Sequence, residues 1–266
     1  MNKKTSGFPD LPSSLKAERK GDIAIVTLAR AEKRNALNDK IVLGLEAFFS
    51  APPDAIKAAV LTGAGDNFSA GLDLSELAEA EVAEAVHHSQ MWHRAFQAIE
   101  FGKVPVVAVL HGAVVGGGLE LAAAAHVRVA ERSAYYALPE GSRGIFLGGG
   151  GTVRLPKLIG TSRVAEMMLT GHVYSAEEGH ALGLSHYLVE NGTGLAKAIE
   201  LAEHIATNAP LTNFAVMHAL PRIAESDPAS GYMTEALMAA IAQGSDEAKT
   251  RLKDFLEKRG KKVHRG

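Results

Sequence analysis

Short apolar runs alternate with longer segments of helical periodicity through the first half of the chain. The runs IAIVTLA, KAAVLTG, VPVVAVL and VRVAE have the length and β-branched composition of strands. Between the first two, LNDKIVLGLEAFFS has apolar residues at helical spacing, with Asn38 as its expected N-cap and Pro52 and Pro53 beyond its end. A second helix is expected over residues 76–100. This alternation predicts an α/β fold, in which βαβ units surround a mostly parallel sheet.

After about Gly148 the pattern becomes mainly helical, and SHYLVE is the one short strand candidate. Ser175 and Glu178 form an S-x-x-E capping box at the start of one of these helices. The apolar faces of the last helices predict burial against the α/β part or a partner subunit. We expect three parts in the chain: a flexible N-terminal lead at residues 1–20, an α/β core at residues 21–200 and a C-terminal helical region at residues 201–266.

Composition excludes several classes of function. The 266 residues are 47% hydrophobic and 22% charged, with a net charge of −2, so nothing attracts the chain to nucleic acid or anionic lipid. The absence of cysteine excludes disulfides, thiolate zinc sites and cysteine nucleophiles. The first 20 residues lack the apolar core of a signal peptide, and no window reaches the ~18 consecutive apolar residues of a membrane span. We expect a cytoplasmic protein.

The stretch HGAVVGGGLELAAAAHVRVA, residues 111–130, places three glycines and then Glu120 at the start of a predicted helix, directly after a strand. The first N–H groups of a helix have no intrahelical partner, and glycines let a ligand approach them closely. The pattern therefore suits an anion or a developing oxyanion, although close packing of helix and strand explains it as well. Neither G-x-G-x-x-G nor G-x-x-x-x-G-K-[ST] occurs here, so a nucleotide site is not supported.

Two further segments favour the oxyanion interpretation. NFSAGLDL, residues 67–74, also follows a strand, so an N–H from this loop and one from the glycine helix could converge on one oxygen. YYALPEGSRGIFLGGGGTVRLPKLIG holds a second carboxylate, Glu140, and four glycines at residues 148–151. Glu120 and Glu140 could form an acid–base pair, but Glu140 before Gly141 could equally be a turn residue.

Taken in order, six stretches resemble the crotonase (enoyl-CoA hydratase/isomerase) superfamily, and within it the enoyl-CoA hydratases most closely. The resemblance extends from about Asp22 to Arg259 and rests on these segments: LARAEKRNALN, NFSAGLDLSEL, GAVVGGGLELA, LPEGSRGIFLGGGGTVRLPKLIG, MMLTGHVYSAEEGHALGLSHYLV and FLEKR. It implies a crotonase-like spiral of ββα repeats with a C-terminal helical region that trimerises. It also implies trimers or hexamers and an acyl-CoA substrate.

Carried over by motif position, the resemblance implies a catalytic set of Leu72, Gly117, Glu120 and Glu140. The N–H groups of Leu72 and Gly117 would hold the thioester oxygen. The two glutamates would position and activate water for addition to C3 of a trans-2-enoyl-CoA, and Glu140 would supply the proton at C2. No metal and no separate cofactor is implied, since coenzyme A is part of the substrate.

The resemblance also implies residues that contact coenzyme A, and two of them, Phe255 and Lys258, match positions that reach the nucleotide of a neighbouring subunit. They are Lys33, Arg34, Ala36, Ala70, Leu72, Asp73, Leu74, Gly117, Phe255 and Lys258. The basic run beyond Arg259 is interpreted as a solvated tail.

Several alternatives stay open or are disfavoured. Isomerisation of a 3-enoyl-CoA to a 2-enoyl-CoA needs only Glu140, and hydrolase or decarboxylase chemistry also occurs in the superfamily. A dienoyl isomerase is disfavoured because Gly148 occupies the position of its extra acidic residue. RNA binding is disfavoured because residues 76–100 are acidic and contain a single arginine. A non-catalytic scaffold would have no use for two buried carboxylates.

Features near the expected site depart from the family pattern. His111 stands where many hydratases have asparagine, LGGGGTVR replaces PGAGGTQR, and Leu72 is bulkier than the frequent alanine. These departures bear on the acyl group more than on the reaction class. His87, His88 and His93 lack a metal-binding spacing, so we interpret them as packing and surface residues, not as a zinc site.

Overall fold

The structure is a computed structural model and describes residues 7–76 and 81–257. Within these residues the chain forms nine strands: β1 (Leu15–Lys20), β2 (Ile23–Leu28), β3 (Ala58–Gly63), β4 (Val106–Leu110), β5 (Ala113–Val115), β6 (Val127–Glu131), β7 (Tyr135–Ala137), β8 (Tyr174–Ser175) and β9 (Tyr187–Val189).

The α-helices of the described residues are α1 (Asp39–Ser50), α2 (Val82–Glu100), α3 (Gly117–Ala124), α4 (Gly151–Ile159), α5 (Thr161–Thr170), α6 (Ala176–Leu182), α7 (Gly194–Ala206), α8 (Pro210–Phe214), α9 (Leu220–Glu225), α10 (Pro228–Gly244) and α11 (Asp246–Leu256). Short 3-10 helices occur at Ala31–Lys33, Leu74–Glu76 and Pro139–Arg143, and a π-helical turn at Ala215–Ala219 joins α8 to α9.

The strands form two sheets. The larger has the order β1-β2-β3-β4-β6-β9, antiparallel between β1 and β2 and parallel elsewhere. The smaller has the order β5-β7-β8, with β5 and β7 parallel. Two successive stretches, β4-β5-α3 and β6-β7-α4, each give their first strand to the larger sheet and their second to the smaller. This is the ββα arrangement expected from the resemblance.

Both faces of the larger sheet are buried, which explains why its central strands are continuously apolar. On β3, Ala58 and Val60 pack in a cluster with Ala198 and Ala202 of α7. The alternate residues of β3 and β4 point to the opposite face, where α1 and α2 supply the aromatic core, including Phe48, Phe49, Trp92 and Phe96. The expected α/β core is therefore present, with helices on both faces of the larger sheet.

Helix α1 begins as the sequence predicts, since the Asn38 side chain accepts a hydrogen bond from the Ile41 N–H at 3.2 Å. The capping box of Ser175 and Glu178 is also present at the start of α6. Helix α2 begins later than expected, at Val82, where Glu81 is the N-cap. The final helical segment is broken at Ser245, whose side chain caps α11.

The predicted boundaries of the three parts differ from those in the structure. The expected lead at residues 1–20 contains β1, which pairs along its whole length with β2, so Leu15–Lys20 belongs to the larger sheet. The expected boundary at residue 200 falls inside α7, because that helix is continuous to Ala206 and covers the sheet. Contacts divide the chain into one compact unit that ends at Ala206 and a second that begins at Thr207.

The second unit is helical from α8 to α11, as the sequence predicts for the C-terminal region. Many of its large apolar side chains are exposed in the single chain, among them Phe214, Val216, Leu220, Tyr232, Met233, Leu237, Ile241, Leu252, Phe255 and Leu256. Exposed apolar side chains in such number are unusual for a short soluble unit. Across both units, no helix of the described residues is long and apolar enough to cross a membrane.

Candidate functional site

Three segments of chain end at one edge of the smaller sheet. The parallel register pairs Val115 at the end of β5 with Ala137 at the end of β7. An isolated parallel bridge also pairs Ser69 with Val114. Because parallel segments in register end at the same edge, the residues that follow them become neighbours. The structure thereby brings together Leu72, the start of α3 and Glu140, although they are distant in sequence.

Helix α3 begins with backbone groups that have no intrahelical acceptor. Gly116 is the N-cap, with φ +52°, and its carbonyl accepts from the N–H of Leu119 and of Glu120 at 2.8 and 3.0 Å. Gly117 and Gly118 are the first two helical residues, so their N–H groups are among those that a helix leaves unpaired. The positive end of the helix dipole lies at the same point, which favours a negatively charged oxygen there.

The Leu72 N–H faces this helix start. Leu37 donates to the Gly71 carbonyl at 2.7 Å and accepts from the Asp73 N–H at 2.8 Å, as in a parallel bridge centred on Leu72. That pattern turns the N–H of Leu72 to the side away from Leu37. Gly71 has φ +87°, and a Cβ there would lie only 3.1 Å from the Gly117 nitrogen. Glycine at position 71 therefore lets the loop approach α3.

The segments that carry the two donors lie close together. A Cβ built on Gly117 would be 3.4 Å from the Leu72 nitrogen and 3.0 Å from Cζ3 of Trp92. Since glycine has no Cβ, no side chain separates the Leu72 N–H from the start of α3, and one oxygen atom in front of both segments could accept from both N–H groups. Two backbone N–H groups this close together are what an oxyanion hole requires.

Glu120 lies on the first turn of α3 and is almost completely buried, with 3% of its surface exposed. Its Oε1 accepts from the N–H groups of Gly149 and Gly151 at 2.9 and 2.7 Å. A Cβ at Gly151 would come within 2.7 Å of the Glu120 side chain, and one at Gly149 within 3.1 Å of Oε2. The second glycine run is therefore needed because the main chain folds directly around the carboxylate.

Glu140 lies in the 3-10 helix Pro139–Arg143 that follows β7, and is 6% exposed. A Cβ at Gly116 would be 2.5 Å from its Oε1, so the carboxyl lies against the start of α3. Among the described residues, nothing hydrogen-bonds to its Oε2. A buried carboxyl oxygen that has no partner is free to contact a substrate. The turn-residue interpretation of Glu140 does not account for this burial.

The two carboxyl groups have perturbed pKa values. Burial raises the pKa of Glu120 to about 7; the Gly151 and Gly149 N–H groups oppose this shift, and the charge of Glu140 adds to it. Burial also raises the pKa of Glu140, against the opposing influence of Arg143. Two carboxyl groups whose pKa values lie closer to neutrality can exchange protons at neutral pH. The arrangement can therefore hold a thioester oxygen and transfer protons beside it.

Comparison with known proteins identifies this arrangement. Residues 18–264 match the family Enoyl-CoA hydratase/isomerase. The chain belongs to this family. A 2,3-dehydroadipyl-CoA hydratase of Escherichia coli K12 is 33% identical over 93% of this chain and 97% of its own. A short-chain-enoyl-CoA hydratase of Clostridium acetobutylicum is 30% identical over 91% and 94%.

Solved structures agree with this assignment. A candidate enoyl-CoA hydratase from Rhodopseudomonas palustris CGA009 is 57% identical, with a TM-score of 0.92 over 96% of this chain and 98% of its own. An enoyl-CoA hydratase from Thermoplasma volcanium GSS1 is 34% identical, with a TM-score of 0.84 over 94% and 98%. The predicted superfamily and its crotonase fold are therefore confirmed, and the chain is an enzyme of the enoyl-CoA hydratase/isomerase family. The roles of its individual site residues stay predictions.

In this family member one face of α2 forms a wall of the site. Ser89, Trp92 and Phe96 have the spacing of one helix face. Cβ atoms added to Gly148 and Gly149 would lie 2.9 Å from Ser89 Oγ and 3.0 Å from Phe96 Cε2, while Trp92 lies against Gly117. The indole and phenyl rings make an edge-to-face pair with centroids 5.6 Å apart. Sequence reasoning assigned these residues no role in binding, although their i, i+3, i+7 spacing is visible in the sequence.

The expected coenzyme A residues of the first unit lie close together. The bridge between Leu37 and Leu72 places the loop of Lys33, Arg34 and Ala36 beside that of Ala70, Asp73 and Leu74. Ala70 donates to the Arg34 carbonyl at 2.9 Å, and Lys33 Nζ to Ser75 Oγ at 3.2 Å. Lys33, Arg34 and Leu74 are exposed, whereas Ala36 is buried and Ala70 half-buried.

Asp73 differs from the other residues of this group because its carboxylate is buried and turned inward. It pairs with Arg30 Nη1 at 2.7 Å and accepts from the Ser75 hydroxyl at 2.6 Å. The Ser75 hydrogen bond is the main reason that the pKa of Asp73 lies below its ordinary value, and Arg30 acts in the same direction. Asp73 therefore fixes the two loops to each other. Sequence reasoning missed Arg30, although it lies within the segment LARAEKRNALN that carries the resemblance.

Phe255 lies in α11 of the second unit and is 59% exposed. Lys258 lies outside the described residues. The predicted contact of these two residues with coenzyme A stays a prediction.

The histidines of α2 have structural neighbours. His88 Nε2 is 2.8 Å from Asp39 Oδ1 on α1, and its ring is near Trp92. His87 Nδ1 is 3.3 Å from Gln90 Oε1. Within residues 7–76 and 81–257, no group of three or more histidine, aspartate or glutamate side chains could hold a metal ion.

Proposed function

We propose that this enzyme is an enoyl-CoA hydratase, which adds water across the C2=C3 double bond of a trans-2-enoyl-CoA to give a 3-hydroxyacyl-CoA. One observation carries the proposal. Two buried carboxyl groups, Glu120 and Glu140, lie at the start of the helix that begins close to the Leu72 nitrogen. A hydratase needs both an oxyanion site and two proton-transfer groups, and the placement of these residues supports both roles.

The backbone donors act on the thioester. Addition at C3 moves electron density through C2 to the thioester oxygen, which becomes enolate-like. The N–H groups of Leu72 and Gly117 stabilise that charge because both are fixed by their segments before the substrate arrives. Such a pair supplies several kcal/mol of transition-state stabilisation, in the range of ~3–4 kcal/mol for each donor.

The two carboxyl groups have different environments, and this supports different roles. Glu120 holds its Oε1 against two glycine N–H groups, which stabilise the ionised form and leave Oε2 to accept a proton from water. Glu140 has a raised pKa and an Oε2 that hydrogen-bonds to nothing else in the described residues. Its protonated form suits donation to C2. The water oxygen then bonds to C3, its proton passes to Glu120, and the proton of Glu140 bonds to C2.

The names of the relatives guide the choice of acyl groups to test. One relative is named for short-chain enoyl-CoA and another for 2,3-dehydroadipyl-CoA, whose acyl chain ends in a free carboxylate. The substrate panel therefore includes short linear, long linear, branched, aromatic and dicarboxylic trans-2-enoyl-CoA thioesters. Hydration removes the conjugated double bond, so loss of enoyl absorbance reports the reaction directly.

The main competing function is isomerisation of a 3-enoyl-CoA to a 2-enoyl-CoA, since Glu140 alone could move one proton. We expect Glu120→Gln to suppress hydration strongly while any isomerisation survives better, because Glu140 still reaches C2. Glu140→Gln should abolish both. Binding of a saturated acyl-CoA, measured by calorimetry, should persist in both variants because the backbone donors are unchanged.

The matched control is Glu131→Gln. Glu131 is buried and accepts an N–H from Gly194 at 2.9 Å, as Glu120 does from its glycines, but it lies outside the site. This variant should keep wild-type turnover. If wild-type protein binds acyl-CoA but hydrates no member of the panel, and 3-enoyl substrates turn over normally in Glu120→Gln, the isomerase is the correct function and the hydratase proposal is wrong.

We further propose that the enzyme assembles as a trimer or a dimer of trimers. The exposed apolar side chains of the second unit support this, because a monomer would leave them in water. Light scattering at micromolar concentration should return a trimeric or hexameric mass. A monomer would refute the assembly and, with it, a cross-subunit role for Phe255 and Lys258.

A further inference from the structure

Ser69 is a completely buried serine in the loop between β3 and the 3-10 helix Leu74–Glu76. It comes three residues before Leu72, whose N–H is one of the two proposed donors to the thioester oxygen. No role in catalysis or binding follows for it from the motif positions. Its contacts nevertheless connect every segment that carries an oxyanion donor.

The Ser69 hydroxyl joins the donor loop to the segment before α1. Its Oγ donates to the Asn35 carbonyl oxygen at 2.8 Å and accepts from the Gly71 N–H at 3.2 Å. Both of these neighbours have left-handed backbone, with φ +53° at Asn35 and +87° at Gly71. Left-handed φ is uncommon for a residue other than glycine. The hydroxyl therefore helps to hold the backbone on either side in a conformation that needs support.

The main chain of Ser69 is fixed to the segment of the second donor. Its N–H donates to the Ala113 carbonyl at 2.9 Å, and its own carbonyl accepts from the Val115 N–H at 3.1 Å. These two bonds make the parallel bridge to Val114. They hold β5 at the point where it leads into Gly117. One residue thus contacts the loop of the first donor through its side chain and the segment of the second through its backbone.

Close packing limits any other arrangement of this residue. A Cβ at Gly118 would lie 2.5 Å from the Ser69 carbonyl oxygen and 3.0 Å from Oγ. The loop is therefore pressed against the first turn of α3, and its position relative to the helix depends on the hydrogen bonds of Ser69. If the hydroxyl is removed, the Gly71 N–H and the Asn35 carbonyl lose a buried partner.

We propose that Ser69 is a positioning residue, whose hydroxyl bridge between Gly71 and Asn35 directs the Leu72 N–H toward the oxygen that also contacts the Gly117 N–H. This inference rests on the proposed hydratase function. The hydroxyl touches neither coenzyme A residues nor the carboxyl groups, so its loss should affect the polarised state of the thioester more than substrate affinity. Loss of a serine with only a structural role would not change the polarisation of the thioester while leaving substrate affinity nearly unchanged.

The test compares Ser69→Ala and Ser69→Cys with wild type. Turnover is measured on the best enoyl-CoA of the panel, and the carbonyl stretch of bound butanoyl-CoA or octanoyl-CoA, labelled with carbon-13 at C1, is measured by infrared spectroscopy. Hydrogen bonding to the oxygen lowers the stretching frequency. In Ser69→Ala we expect kcat to fall about tenfold, KM to change by less than roughly threefold, and the carbonyl band to move back toward that of free thioester.

For Ser69→Cys, kcat and the carbonyl frequency should lie between those of wild type and Ser69→Ala, because a thiol has a similar shape but is a weaker donor and acceptor. The control is Ser185→Ala, which removes another buried serine hydroxyl, near His180 and outside the site. It should leave both the band and kcat unchanged.

The outcomes separate this proposal from the function on which it rests. If wild type shifts the carbonyl band and Ser69→Ala shows the same shift and the same kcat, the positioning role is refuted. A fall in affinity and folding stability with an unchanged band would also refute it. If wild type neither shifts the band of either thioester nor hydrates any enoyl-CoA, the oxyanion site and the hydratase function fail first.

Discussion

The burial of Glu120 should make the free energy of unfolding depend on pH, which can be tested. Its carboxylate is 3% exposed, and burial raises its pKa from the ordinary value of 4.5 to about 7. A proton is therefore bound more tightly in the folded chain than in the unfolded chain. Below about pH 4.5 both states carry the proton, and the group has no effect on the pH dependence. As pH rises toward 7, the unfolded state loses its proton first, so the free energy of unfolding falls.

The size of this effect follows from the pKa difference. A tenfold change in a protonation equilibrium corresponds to ~1.4 kcal/mol, so the ionised Glu120 costs the folded state about 3 kcal/mol above pH 7. Glu120→Gln removes the ionisation while its amide oxygen can still accept from the N–H groups of Gly149 and Gly151. The variant should be more stable than wild type at about pH 8, by up to ~3 kcal/mol, and close to it at about pH 4.5.

Urea denaturation at fixed protein concentration, repeated at several pH values, measures the difference. The control is Glu203→Gln, whose side chain is 55% exposed and 3.7 Å from Lys20. An exposed pair of this kind contributes little, so the control should follow wild type at each pH. If wild type and Glu120→Gln lose stability in parallel between about pH 5 and about pH 8, the carboxyl does not carry the desolvation cost deduced from its burial.

Three further outcomes are expected. Gly117→Pro deletes one donor and should lower kcat by a factor of about 10²–10³. Gly117→Ala should also lower kcat, because its Cβ would lie 3.4 Å from the Leu72 nitrogen. If both variants turn over as fast as a Gly244→Ala control, Gly117 is a packing residue only. In wild type, kcat/KM should rise with pH through about 7 as Glu120 loses its proton, and a flat profile there would contradict its role as base. Trp92→Leu removes the ring that lies against Gly117 and so widens the site; it should raise kcat/KM for branched relative to short linear enoyl-CoA, and an unchanged ratio would show that the indole does not limit the size of the acyl group.

Much of the fold could be predicted because its signals are local. The Asn38 cap, the Ser175 capping box and the apolar strands each depend on residues within a few positions of one another. The lead at residues 1–20 was wrong in part for the opposite reason. LKAERK, at residues 15–20, is a polar edge strand. It pairs with β2 in the folded chain, and its composition does not predict that pairing.

The candidate site divides in the same way. The glycines before Glu120 and around residue 148 predict that the backbone is in close contact with another group. Which group it contacts depends on the register of the strands. The pairing of Val115 with Ala137 brings Glu140 to the start of α3, and no spacing in the sequence encodes that distance. Ser69 and Arg30 were missed because a single serine or arginine carries no pattern. Their roles follow only from the partners that the fold gives them.

The cost of burying Glu120 is also what suits the group for proton transfer. An exposed glutamate would be ionised at neutral pH and too weak a base to take a proton from water efficiently, whereas an equally buried one without donors would stay protonated. The Gly149 and Gly151 N–H groups set a balance between these limits. Arg154 holds that loop in place, since it donates to the Gly149 carbonyl at 3.1 Å and pairs with Glu100 at 2.6 Å. The pKa of Glu120 near neutrality therefore depends on its burial, on the glycine N–H groups and on Arg154 together.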